Sequence, residues 1–170
     1  MNEALERLNS LSREEAEAEL LKCCGSTRWS RRMATARPFH DHEALLASAD
    51  SIWWALEKED WLEAFSRHPK IGEKESATAQ APGARQWSEQ EQAGTTSADD
   101  QTRRSLVTAN EEYAQRFGHI YIVCATGKTA DEMLTILQGR LGNDPEKEIR
   151  IAAEEQRKIT HLRLQKLLAD

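Results

Sequence analysis

The apolar positions of the chain recur mostly at helical spacing, every third or fourth residue. Ser12-Arg13-Glu14-Glu15 has the form of a capping box and predicts a helix running toward Cys24 and stopping at Gly25. A second helix is predicted over Thr27 to Ala36, ending before Pro38. Asp41 caps a third, with Leu45, Ala49, Ile52, Trp53 and Leu56 as its stripe. Trp61, Leu62 and Phe65 supply a further short helix, stopped by Pro69 and Gly72. From Lys74 the residues turn small and polar, with Pro82 and Gly83, which predicts a mobile loop around 74–86. Helix formers resume at Trp87, with Ser88 as the expected cap. Another helix is expected over Gln101 to Arg116, with Leu106, Asn110 and Tyr113 on one face. The last opens with Pro145 in its first turn and runs to about Leu168.

One stretch departs from this period. Phe117-Gly118-His119-Ile120-Tyr121-Ile122-Val123-Cys124-Ala125 reads locally as a strand. Nothing else in the chain offers it a sheet partner, and a lone strand leaves its backbone groups unpaired. It is therefore expected as an extended entry into a buried helix, with amides available to a ligand. The fold class is all-α: a single compact domain over residues 1–170, with about seven or eight helices.

A length of 170 residues fits one domain and suffices to bury a real core. The 23 basic and 29 acidic residues leave a net charge of −6, which argues against nucleic acid or an anionic membrane as partner. The apolar runs are too short to span a bilayer, and the first residues lack the form of a signal peptide. A soluble, cytoplasmic protein is expected. Three cysteines, Cys23, Cys24 and Cys124, lack metal-type spacing and read as reduced, half-buried thiols. The tryptophans, Trp53, Trp54 and Trp61 among them, read as core.

Candidate chemistry is sparse. In His68-Pro69 the proline pushes the histidine out of helical angles, so His68 sits at a helix end beside the loop, placed to donate or accept a proton. A surface histidine at a helix stop has the same pattern. Ser88, Glu91 and Gln92 stand three and four apart, so a helix turns a hydroxyl, a carboxylate and an amide to one side. An ordinary solvated helix start reads the same way. Arg163 falls within the stripe of Ile149, Ala152, Ala153, Ile159 and Leu167, where a guanidinium either meets an anion or snorkels from the edge. His40-x-His42 lacks a completing ligand, so no metal is expected, and Gly127-Lys128-Thr129 lacks the upstream glycine of a phosphate loop.

Taken in order, Arg37-Pro38-Phe39, His68-Pro69-Lys70-Ile71-Gly72, Ser88-x-x-Glu91-Gln92, Asn110-x-x-Tyr113 and Phe117-Gly118-x-Ile120-Tyr121-Ile122 resemble one family. The tail continues the match, from Arg140-Leu141-x-Asn143 through Glu148 and Glu154 to Ile159-Thr160-His161-Leu162-Arg163-Leu164. The chain resembles the OHCU decarboxylases from about Leu8 to Leu168. OHCU is 2-oxo-4-hydroxy-4-carboxy-5-ureidoimidazoline, an intermediate of urate breakdown.

The resemblance implies an all-helical, usually dimeric enzyme that converts OHCU to S-allantoin with loss of carbon dioxide, using neither metal nor organic cofactor. It implies that His68 is the catalytic acid and Glu91 the important carboxylate. Substrate binding falls to Pro69, to Ser88, Glu89, Gln90, Glu91 and Gln92, and to backbone groups of Tyr121, Ile122, Val123, Cys124 and Ala125, with Arg163 as a neighbour. The family more often has Phe-Gly-Phe-Pro-Phe where this chain has Phe-Gly-His-Ile-Tyr, so His119 and Tyr121 are expected to alter the polarity of the pocket. Two rival readings stay open: a non-catalytic helical binding module, and a relative acting on another ureido or hydantoin-type ring.

Overall fold

The computed structural model describes residues 2–71, 84–95 and 98–169. Among these, nine α-helices and one 3-10 turn (Ala93–Thr95) occur, with no strand. The helices are α1 (Glu3–Ser10), α2 (Arg13–Leu21), α3 (Thr27–Ala36), α4 (His42–Trp54), α5 (Lys58–Ser66), α6 (Ala84–Glu91), α7 (Asp100–Phe117), α8 (Ala130–Arg140) and α9 (Pro145–Ala169). The all-α class is as expected, with α1 the helix that the apolar pattern did not announce. The part of the expected loop at 74–83 lies outside the described residues, while Ala84 already begins α6. Ser88 is therefore inside a helix and does not cap it, because Ala84-Arg85-Gln86 are good helix formers that start it earlier.

Contacts group the residues into two compact units, 1–64 with 157–170, and 65–156. In the first, side chains close the helix starts. Asn2 Oδ1 accepts from the Ala4 and Leu5 amides, Ser12 and Glu15 form the reciprocal capping box, and Asp41 accepts from the Ala44 amide. Glu63 accepts from both the amide and the hydroxyl of Thr27 at the start of α3, where a carboxylate also meets the positive end of the helix dipole. Leu5, Leu20, Trp29, Met33 and Leu45 are among the buried core residues. Trp29 and Trp61 bury their rings and donate their indole N–H to the carbonyls of Ala49 and Trp53. Trp54 is the exception to the expected tryptophan core: it is 41% exposed, and one ring edge meets Trp61. Arg37 donates to the carbonyls of Ala34, Leu8 and Leu11, and Asn9 holds both backbone groups of Phe39, so Arg37-Pro38-Phe39 is a structural clamp.

In the second unit, α7 packs on α8. Leu106, Ala109 and Tyr113 share a buried cluster with Met133 and Leu137. Helix α7 stops at Gly118, whose φ of 79° is the left-handed cap that favours glycine. Residues 119–129 then cross to α8 without helix or strand, as the absence of a sheet partner predicts. Tyr121, Val123 and Ala125 enter the core cluster, which is the two-residue alternation of an extended chain. Behind them Arg140, 7% exposed, and Glu148, fully buried, form an ion pair joined by Tyr113 and Asn143.

Candidate active site

The second unit gathers most of the residues that the sequence singles out. His68 follows α5 in a non-helical turn and is half-buried, as its proline requires. Its Nε2 lies 2.6 Å from Oε1 of Gln156, a fully buried side chain on α9. The carbonyl of Ile71, at the end of the His68-Pro69-Lys70-Ile71 turn, accepts from Asn110 Nδ2 of α7 at 3.1 Å.

Helix α6 turns Ser88 and Glu91 inward and leaves Gln92 half-buried just past its end. Glu89 and Gln90 are exposed, because successive residues of a helix step about 100° around its axis. Of the five residues expected to bind substrate, only Ser88, Glu91 and Gln92 are thus on the inner side of α6 and its end. The 3-10 turn that follows touches the next element very closely: a Cβ on Gly94 would come within 2.1 Å of the Lys128 carbonyl. Only glycine fits there, and it fixes how near the end of α6 comes to the turn before α8.

The extended segment pairs its backbone with side chains. Arg140 Nη1 donates to the Ile122 carbonyl at 2.7 Å, Lys128 Nζ to the Cys124 carbonyl at 2.7 Å, and the Cys124 amide donates to Glu155 Oε1 at 3.0 Å. The Cys124 amide, expected to serve a substrate, is thus held by an internal carboxylate. Burial raises the Cys124 thiol pKa; the Lys128 ammonium opposes this, and Glu155 and then Glu91 add to it. The α9 carboxylate and Lys128 thus meet at one short stretch of backbone.

Three expectations change. The Tyr121 hydroxyl, expected to face the pocket, donates to the Met133 carbonyl at 3.0 Å, and its ring lies under Arg140. The His119 ring packs among Phe65, Tyr113 and Phe117. The three thiols are buried, not half-buried, and all are free. Arg163 belongs to the first unit, is 4% exposed, and donates to the Lys22 carbonyl at the end of α2 at 2.9 Å. Among the described residues no group of three or more His, Cys, Asp or Glu side chains is placed to hold a metal.

The contacts of Glu155, Gln156, Lys128 and Gly94 have no local mark in the sequence. A half-apolar helix offers no local sign that consecutive polar residues serve two different segments. Asn110 is marked in the sequence as a motif position on one helix face with Leu106 and Tyr113, without a sign of its partner.

The model of the OHCU decarboxylase family matches residues 9–165. The Arabidopsis thaliana uric acid degradation bifunctional protein TTL is 42% identical over 163 residues, covering 94% of this chain. This chain spans about half the length of that relative, 49%. The 2-oxo-4-hydroxy-4-carboxy-5-ureidoimidazoline decarboxylase of Amia calva is 30% identical over 174 residues, with 96% of this chain and 94% of that one covered. A crystal structure of an OHCU decarboxylase in the presence of (S)-allantoin superposes with a TM-score of 0.77 at 37% identity, covering 90% of this chain and 99% of that one. With the fold, the motif order and these relatives in agreement, the chain belongs to the OHCU decarboxylase family.

Proposed function

We propose that this chain decarboxylates OHCU to S-allantoin, acting as one domain, as a homodimer and in the cytoplasm. The observation that carries the reading is the grouping, in one compact unit, of a half-buried histidine outside a helix, an inward carboxylate on α6 and an extended backbone held by side chains.

The chemistry suits such a site. The carboxylate of OHCU stands beside a carbon–nitrogen double bond of the ring. When the bond to carbon dioxide breaks, its electron pair moves toward that double bond, so the ring is its own electron sink. A protein then has to orient the ring, meet the developing charge and deliver a proton to one face of one carbon. His68 handles the proton, a service worth roughly 10²–10⁴ in rate. Glu91 and Gln92 accept from the ureido and ring N–H groups, with the carboxylate the stronger of the two. Ser88 adds a hydroxyl, and Pro69 fixes the turn that presents His68.

Backbone groups of residues 121–125, apart from the Cys124 amide that Glu155 holds, serve the substrate in this proposal. Tyr121, Val123 and Ala125 give their side chains to the core, so their part is main-chain only. Ile122 and Cys124 lie on the opposite side of the extended chain. The test is stereochemical. Spontaneous decay of OHCU gives racemic allantoin, so an enantiomeric excess that vanishes in His68→Ala and Glu91→Ala supports the assignment.

A further inference from the structure

We propose that Gln156 is a positioning residue for His68: its buried side-chain oxygen takes the imidazole N–H at Nε2 and leaves Nδ1 as the basic nitrogen of the neutral ring. The inference deepens the reading of His68 as the proton-handling group, and its kinetic part rests on that reading. Its tautomer part does not.

An amide oxygen only accepts, so a contact of 2.6 Å between Gln156 Oε1 and His68 Nε2 requires the hydrogen on the ring. Gln156 is fully buried, where the amide dipole acts in a low dielectric and an unmet polar group is costly. Pro69 constrains only the backbone of the turn, so the direction of the ring depends on side-chain contacts such as this one. The partner comes from 88 positions away, on a helix that the core holds in place.

The choice of a neutral amide is itself informative. A carboxylate at this position would hold the imidazolium and resist loss of its proton. A glutamine fixes the direction of the ring without adding a charge of its own, which suits an acid that must reset each cycle. Glu155, the residue before it, accepts from the Cys124 amide. Successive helix residues point about 100° apart, so one turn of α9 sets the histidine with one side chain and the extended segment with the next. The spacing between them is then fixed by a single rigid element.

The experiment is long-range proton–nitrogen correlation NMR on histidine-labelled protein at about pH 8, above the ordinary imidazole pKa of ~6.5. The His68 signals are identified by their loss in His68→Ala. The expected result is one tautomer, with the proton on Nε2, giving way to a mixture in Gln156→Leu. In OHCU turnover, Gln156→Leu is expected to lower kcat about 10- to 100-fold with KM changed less than about 3-fold, the scale of a misplaced catalytic group. A wild-type proton on Nδ1 would show the amide turned the other way and overturns the proposal. So does an unchanged tautomer in Gln156→Leu. Should that variant fail to fold, the wild-type spectrum still decides. An Nε2–H tautomer in a protein that does not turn over OHCU supports the hydrogen bond and refutes the function, so the two failures are distinguishable.

Discussion

Arg140 holds Glu148 inside the second unit through two guanidinium nitrogens, Nε and Nη2, both donating to the same carboxylate oxygen. The Tyr113 hydroxyl donates to that oxygen too, and Asn143 Nδ2 donates to the other at 3.0 Å. A carboxylate that is fully buried is tolerated only when its charge and lone pairs are met in this way. Arg140 also reaches the Ile122 carbonyl, so the pair anchors the extended segment to α8 and α9. Removing one partner leaves the other charge alone in the core. Arg140→Met is expected to lose about 3–5 kcal/mol of stability in urea unfolding, and Arg140→Met with Glu148→Leu to lose less than the single change.

Asn110 links α7 to the turn that carries His68. Its Nδ2 donates to the carbonyls of Ile71 and Leu106, while its Oδ1 has no partner among the described residues. Asn110→Ala strips a donor from the buried Ile71 carbonyl and should cost about 1–3 kcal/mol. Asn110→Asp should cost more, since a carboxylate would face two carbonyl oxygens. Equilibrium unfolding of the two variants checks the order.

Gly94 sets the approach of α6 to the turn before α8. A methyl group there meets the backbone oxygen of Lys128, which cannot rotate away as a side-chain tip would. Gly94→Ala must displace one segment or the other, and Glu91 lies three residues away. A shift of about 1 Å at a catalytic group costs on the order of 10²-fold, so kcat/KM is expected to fall by at least about 10-fold. Steady-state turnover of OHCU reads this directly.

The local part of the fold is well marked in the chain. Ser12, Asp41 and the bounds of α3 are set by caps and proline, which act within a few residues. The S-x-x-E pattern at Ser88 misleads because the same spacing occurs inside a helix that Ala84 has already begun. Helix α1 escapes notice because Asn2 caps only eight residues, with Ala4, Leu5 and Leu8 as its buried side. Of the candidate site, the placing of His68 outside a helix and of Glu91 on an inner face is legible because a proline and a helical spacing act nearby. Glu155 and Gln156 are not, since their partners lie 31 and 88 positions away. Several motif residues of the resemblance, Arg37, Tyr113, Arg140 and Glu148 among them, belong to internal clamps.

Buried acids predict how stability responds to alkali. Burial pushes the Cys24 thiol up to about 12 from an ordinary 9.0, and Cys23, Tyr113 and Tyr121 upward as well. Between those values the folded chain keeps protons that the unfolded chain has released, so the unfolded state gains with rising pH. The stabilising contribution is full below about pH 9 and is lost progressively toward pH 12. Urea midpoints measured in rising steps from neutral pH should fall once pH 9 is passed. Cys23 and Cys24 should resist thiol reagents in the native protein, because the reactive thiolate is suppressed.

In the proposed reaction His68 and Glu91 run a stereoselective decarboxylation. Circular dichroism of OHCU freshly generated from urate tests it most directly, comparing the wild-type chain with His68→Ala and Glu91→Ala. Fast formation of one allantoin enantiomer is expected from the wild-type chain, lost in both variants. Racemic allantoin formed at the background rate by the wild-type chain would contradict it.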